Sequence, residues 1–258
     1  HAPYSVTAEA LQASMRLAEE LDTTWQIHLS ETEEERQNAI KEFGCSPVEY
    51  LAKLGCLNER TVAVHCVALS DHDIELLAKS GASVVHCPVS NMRLGCGASP
   101  VVKLLKAGVN VALGTDGAAS ACSLSMFEQM RTAGLIAKGF SQDPTQLTVN
   151  QIIRMATING ANALKLDREV GSLAVGKFAD LAVIDMSQLV TMPVLDVLSN
   201  VIYAVEAQCI HQVWASGCLV ANIQQEKLLR PDRGKLLTKS NIMSWQNRVC
   251  EILRDDFN

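Results

Sequence analysis

The chain has 258 residues, 48% of them hydrophobic, enough to bury a large core in one domain or one domain with an appendage. Its net charge of −6 argues against a nucleic-acid surface, and its apolar runs stop well short of the roughly 20 residues a membrane span needs. The nine cysteines form no C-x-x-C pair, and several, such as Cys66 and Cys87, sit inside apolar runs, a pattern that favours buried thiols in a reducing, cytoplasmic setting.

The opening "HAPYSVTAEAL" has no Met and reads as the middle of a motif, so further residues are expected before it. "SVTAEALQASMRLAEELD" carries a Ser/Thr cap, an early Glu and apolar residues at helical spacing, which predicts a helix over about residues 7 to 21. "TTWQIHL" follows as a strand, "SPVEYLAKLGCL" as a helix with Pro47 in its first turn, and "RTVAVHCVAL" as the next strand. Then come a capped helix in "SDHDIELLAKSG", a strand in "ASVVHCPVS", a helix in "SPVVKLLKAG" closed by Gly108, and a strand in "VNVALGTDG". Strand, loop and helix thus repeat four times, the signature of an α/β parallel sheet covered by helices. "SLSMFEQMRTAGLIAKGF" and "TVNQIIRMATINGANAL" read as two long helices. From about residue 168 short strands and Gly turns, in "GSLAVGKFADLAVIDM" and "VIYAVEAQCIHQVWASGCLVAN", suit a small antiparallel sheet, and "SNIMSWQNRVCEILRDD" reads as a polar-faced helix. The expected organisation is a barrel-like part over 1–167, a β-sandwich portion over 168–225 and a helical tail over 226–258.

Each of the four strands ends in a polar residue where its loop begins: His28 in "QIHLSE", His65 in "AVHCV", His86 in "VVHCP" and Asp116 in "LGTDG". In a parallel sheet or barrel these ends share one face, so three imidazoles and a carboxylate are expected to converge there. That ligand set suits zinc or iron. Taken singly, each histidine reads as an ordinary core or loop residue; four in register carry the expectation. Glu31, three residues past His28, can fold back and move protons, whereas Glu33, Glu34 and Glu35 read as a solvated first helical turn. His72 is assigned to solvent and His211 to a structural place in the small sheet. Gly114 and Gly117 are read as letting the backbone turn and keeping space open above Asp116.

Taken together, "HAPYSV", "IHLSET", "VAVHCVALSDHDIELLAKSGASVVHCPVSNMRLGCG", "GVNVALGTDGAAS" and "VGSLAVGKFADLAVID" resemble the amidohydrolase superfamily, within it the 5-methylthioadenosine/S-adenosylhomocysteine deaminases and their triazine chlorohydrolase relatives. The likeness implies the C-terminal half of a (β/α)8 barrel with part of a β-sandwich, and one divalent metal, zinc before iron. It implies His28 and Asp116 as metal ligands, with Asp116 also the proton carrier. Glu31 would be the acid for the ring nitrogen, and His65 would orient the attacking hydroxide on the metal. His1, Glu31, His86 and Asn91 would line the substrate mouth. The implied reaction is hydrolytic deamination of an adenine nucleoside at its amino-bearing ring carbon, with release of ammonia.

Two features depart from that pattern. No His-x-His occurs in the chain, so the family's first pair of metal ligands is missing, and "GAASACSL" places Ala121 and Cys122 where polar amides are frequent. A half barrel has open sheet edges that seek a partner, which makes a homo-oligomer a candidate assembly; a nucleoside is the expected small-molecule partner, with neither nucleic acid nor membrane. The rival readings are a triazine chlorohydrolase, a guanine- or cytosine-type deaminase, and a fragment inactive for want of the His-x-His ligands.

Overall fold

A computed structural model of the protein describes residues 1–222 throughout and strands at 227–229 and 236–238. Two compact units emerge, His1–Ser172 with Asp196–Tyr203, and Leu173–Leu195 with the residues from Ala204 on.

The first unit is built as the sequence pattern predicts. Helix α1 (Ala8–Glu20) starts where the Thr7 hydroxyl accepts from the Ala10 amide, and leads into strand β1 (Trp25–Leu29). Helix α2 (Glu33–Phe43) is capped by Thr32 and stops at Gly44, whose φ of 70° suits a left-handed C-cap. Helix α3 (Pro47–Lys53) opens with a Ser46/Glu49 capping box, strand β2 spans Thr61–His65, and helix α4 (Asp71–Ser80) opens with a Ser70/Asp73 box. Strand β3 (Ser83–His86), helices α5 (Pro88–Arg93) and α6 (Val101–Lys106), strand β4 (Asn110–Leu113) and the short helix α7 (Ala118–Ala121) follow, then helices α8 (Met126–Ser141), α9 (Val149–Ala156) and α10 (Ile158–Ala163).

The strands form one parallel sheet in the order β1-β2-β3-β4, with Leu29 beside His65, Val64 beside Val85 and His86 beside Leu113. Four consecutive βα units of a barrel give this arrangement. Alternate side chains point to opposite faces. Ile27, Leu29, Ala63, Val84 and Val111 join a core with Leu11, Leu51, Leu77, Leu104, Ile152 and Met155 from the helices. On the other face Gln26, His28, Val64, Val85, Gly114 and Asp116 line a cavity of about 330 Å³.

Two elements of this unit end earlier than the sequence pattern predicts. The strand predicted through "ASVVHCPVS" ends at His86, because Pro88 has no amide to give the ladder and instead occupies the first turn of α5. The single helix predicted through "TVNQIIRMATINGANAL" breaks at Thr157, whose hydroxyl donates to the Ile153 carbonyl. Beyond the break α10 is tied to the sheet: Asn110 Nδ2 donates to the Asn159 carbonyl, and Asn159 Nδ2 donates to that of Val111.

Helix α11 (Val197–Tyr203) belongs to this unit as well, so Val201, Ile202 and Tyr203 are helical rather than the start of a strand. The second unit is a five-stranded antiparallel sheet of β5 (Leu181–Ile184), β6 (Ile210–Ala215), β7 (Cys218–Asn222), β8 (Lys227–Leu229) and β9 (Leu236–Thr238), in that order. The last two lie within the segment read as a helical tail, where the short apolar runs "KLL" and "LLT" pair with each other. The helix expected over 240–256 lies outside the described residues. Among the described residues no helix is long and apolar enough to cross a membrane.

Candidate metal centre and active site

Three of the four strands of the parallel sheet lead into backbone that ordinary residues adopt reluctantly. Ser30, His65, Cys66 and Asp116 all have φ between 48° and 75°, in the left-handed region, where the missing room for Cβ makes a non-glycine residue costly. These turns bring His28, His65 and Asp116 together, and one ligand atom from each lies within 4.8 Å of the others. Two imidazoles and a carboxylate are a donor set that a divalent cation takes, and three protein ligands leave room for a water or substrate atom. The residues present therefore fit a metal, although the sequence pattern contains no His-x-His pair to add to them.

The two imidazoles stack with ring centres 5.2 Å apart. His28 Nδ1 lies 3.0 Å from the His1 carbonyl oxygen, which also accepts from the His28 amide at 2.9 Å. His65 is only 1% exposed, and its Nδ1 lies 2.8 Å from Asn91 Oδ1. Its Nε2 faces Glu31 Oε1 at 3.8 Å, and the Cys96 thiol donates to the same Glu31 oxygen at 3.6 Å. Asp116 accepts from the Ser90 hydroxyl at 2.6 Å and from the Gly117 amide at 2.7 Å. Burial opposes its ionisation, but Ser90, Gly117 and the nearby His65 and His28 outweigh it and hold the carboxyl below the usual aspartate value. Burial pushes the Cys96 thiol up to about 11, so it stays a thiol at neutral pH.

The structure thus gathers His28, Glu31, His65 and Asp116, with His1 lining the same cavity and its ring centre 4.9 Å from that of His28. His65 was expected to orient water and here stands among the potential ligand atoms. His86 departs from its expected place at the mouth. It follows Val85 on the strand, so its ring turns to the helix side and lines a separate cavity of about 290 Å³ with Pro100, Val101, Ala133 and Ile136. Burial and the neighbouring His65 push its pKa down to about 3, so it is neutral. Asn91 departs as well: it is fully buried and reaches His65 rather than the cavity. Glu35 is not a solvated first-turn residue, because its carboxylate turns in to accept from the Ser30 and Glu31 amides at 2.9 and 2.7 Å. Burial, working against those bonds and assisted by Glu31, raises its pKa. Glu33 and Glu34 are exposed as expected, as is His72, which faces Glu49 at 3.6 Å.

The glycine reading is half corrected. A Cβ on Gly114 would sit 2.7 Å from Val85 Cγ1 and 3.3 Å from Cys87 Sγ, so this glycine permits close packing of β3 and β4. Gly117 has an ordinary backbone conformation and nothing within 4 Å of a Cβ placed on it, and shows no such demand. Ser90 was missed by sequence reasoning. The signal lay in "CPVSN", where a proline after a strand starts a helical turn whose third and fourth residues return to the strand ends.

Residues 1–220 match the amidohydrolase family, and the chain belongs to it. It is 45% identical over 217 residues to a 5-methylthioadenosine/S-adenosylhomocysteine deaminase of Teredinibacter turnerae, covering 84% of this chain and 49% of that protein. It is 42% identical over 217 residues to a 5'-deoxyadenosine deaminase of Methanothermobacter thermautotrophicus, covering 84% and 50%. A crystal structure of an adenosine deaminase from Xanthomonas campestris with bound zinc superimposes with a TM-score of 0.89 at 38% identity, over 97% of this chain and 56% of that one. The chain spans about half the length of the curated relatives it matches.

Proposed function

We propose that the full-length protein is a metal-dependent hydrolytic deaminase of an adenine nucleoside of the 5-methylthioadenosine, S-adenosylhomocysteine or 5'-deoxyadenosine type, with zinc as the metal. The observation that carries this reading is the meeting of His28, His65 and Asp116 within 4.8 Å, with Glu31 beside His65. Relatives named for these substrates, and a zinc-bound adenosine deaminase with the same fold, support it.

His28 and Asp116 would hold the cation, which when bound supplies a Lewis acid that makes water nucleophilic near neutral pH, and His65 beside them would orient that water. Asp116 is ionised at neutral pH, since its carboxyl is held below the usual aspartate value, and it takes the proton that water releases on adding to the amino-bearing carbon. Glu31, on the loop after β1, delivers a proton to the ring nitrogen beside that carbon, which lets the carbon rehybridise without stranding charge on the ring. Asp116 then returns its proton to the departing nitrogen while the added oxygen becomes a carbonyl and its remaining proton restores Glu31, so that ammonia rather than amide ion leaves. His1 and Gln26 line the cavity in which the ring would lie. A reducing compartment suits the eight described cysteines, all of them free.

The test is ammonia release from each of the three nucleosides by the full-length protein loaded with zinc. Asp116→Asn is expected to lower turnover by about 10²- to 10⁴-fold with the thermal midpoint little changed, and Glu31→Gln to slow the reaction while zinc is retained. Near wild-type turnover in Asp116→Asn would overturn the mechanism. Chloride release from a chlorotriazine without ammonia release from any nucleoside would favour the dechlorinase reading, in which a proton donor such as Glu31 has less to do.

A further inference from the structure

Glu31 has its backbone and its side chain held by different partners. The backbone is fixed from within its own loop, where the Glu31 amide donates to the Glu35 carboxylate at 2.7 Å and the Ser30 amide does so at 2.9 Å. The carboxylate is reached by one hydrogen-bond donor among the described residues, the Cys96 thiol, 3.6 Å from Oε1. Oε1 also faces His65 Nε2 at 3.8 Å, whereas Oε2 has no hydrogen-bond partner among the described residues. A glutamate side chain turns about several bonds, so without the thiol this carboxylate would keep its orientation by packing alone.

The loop that carries Cys96 is shaped for close approach. Cys96 stands between Gly95 and Gly97, both in the left-handed region with φ of 72° and 105°. Its amide donates to the Asn91 carbonyl at 2.8 Å, which ties it to α5. A Cβ on Gly97 would come within 3.2 Å of Val67 Cγ1, and the Val67 amide donates to the carbonyl of Ser30, the residue before Glu31. Three residues on from Cys96, the Ser99 hydroxyl donates to the Cys66 carbonyl at 2.8 Å. Both flanks of Cys96 are thus tied down, one to α5 and one to the turn after β2, and the thiol is delivered to a carboxylate 65 residues away in the chain.

We propose that Cys96 is a positioning residue for the catalytic acid: its thiol holds Oε1 of Glu31 and so leaves Oε2 for the ring nitrogen of the substrate. The proposal rests on the reading of Glu31 as that acid. A weak, neutral donor suits the place, because it orients the carboxyl without tying it into an ion pair.

The experiment uses the full-length protein loaded with zinc and compares Cys96→Ala with Cys96→Ser, which keeps a donor of similar size. Cys96→Ala is expected to lower kcat by about 3- to 10-fold, the worth of one hydrogen bond, with KM within about twofold and the thermal midpoint little changed. Cys96→Ser should recover most of that loss. Unchanged kcat in Cys96→Ala would overturn the proposal, as would a change confined to KM or a Cys96→Ser variant as slow as Cys96→Ala. The infrared S–H stretch supplies a readout independent of turnover. In the spectrum of wild type minus Cys96→Ser, the band is expected below the frequency of a free thiol; in Glu31→Ala, taken against the double variant, it should return to the free position. A wild-type band already at the free position would sink the proposal, and the band decides alone if Cys96→Ala does not fold. Should the zinc-loaded wild type release no ammonia from any of the three nucleosides, the deaminase reading fails, while the band still decides whether the thiol holds Glu31.

Discussion

The two sheets use histidine in opposite ways. In the parallel sheet the strand bodies are apolar and buried, and the imidazoles of His28 and His65 appear only at the ends, where left-handed turns aim them at Asp116. In the antiparallel sheet His211 sits inside β6, a strand partly exposed along its whole length, and no cluster of potential ligands forms around it among the described residues. Parallel strands all run in one direction, so their ends collect residues from distant parts of the chain; antiparallel strands send alternate ends to opposite edges.

Core substitution should mark the difference most strongly. Leu77→Ala, at a fully buried site behind the parallel sheet, is expected to cost about 2–5 kcal/mol by urea unfolding, while Leu219→Ala on the half-exposed β7 should cost less than half as much. Equal losses would break the contrast. Next in size, His28→Gln should weaken zinc binding at least about 100-fold, or roughly 2.7 kcal/mol, with His211→Gln unchanged, as read by chelator competition. A comparable loss in His211→Gln would show that histidine placement at strand ends is not what matters. A smaller effect is expected at Gly114→Ala, where the new methyl meets Val85; overpacking should cost about 1–3 kcal/mol and disturb the adjoining Asp116. An unchanged unfolding midpoint there would mean that β3 and β4 can separate without penalty.

The βα repeat, the caps at Thr7 and Ser70, and the strand-end positions of His28, His65 and Asp116 were all legible, because each rests on local chemistry or on a period of two or 3.6 residues. Glu35 was misread because a run of glutamates looks uniformly solvated until the fold offers one of them two amides to accept from. Thr157 was misread because the helix break it makes is secured by asparagines bonded to β4, which no local pattern records.

The sequence by itself pointed to the family through its motifs, and to the parallel sheet and its polar strand ends through apolar periodicity, which requires nothing from distant residues. Only the tertiary structure decided which polar groups face the cavity. His86 and Val85 are neighbours in the chain, yet the pleat sends one to the helices and the other to the site. Asn91 and Ser90 sit side by side on one turn, and each found a different partner 26 residues away, a pairing set by where three strands happen to end in space.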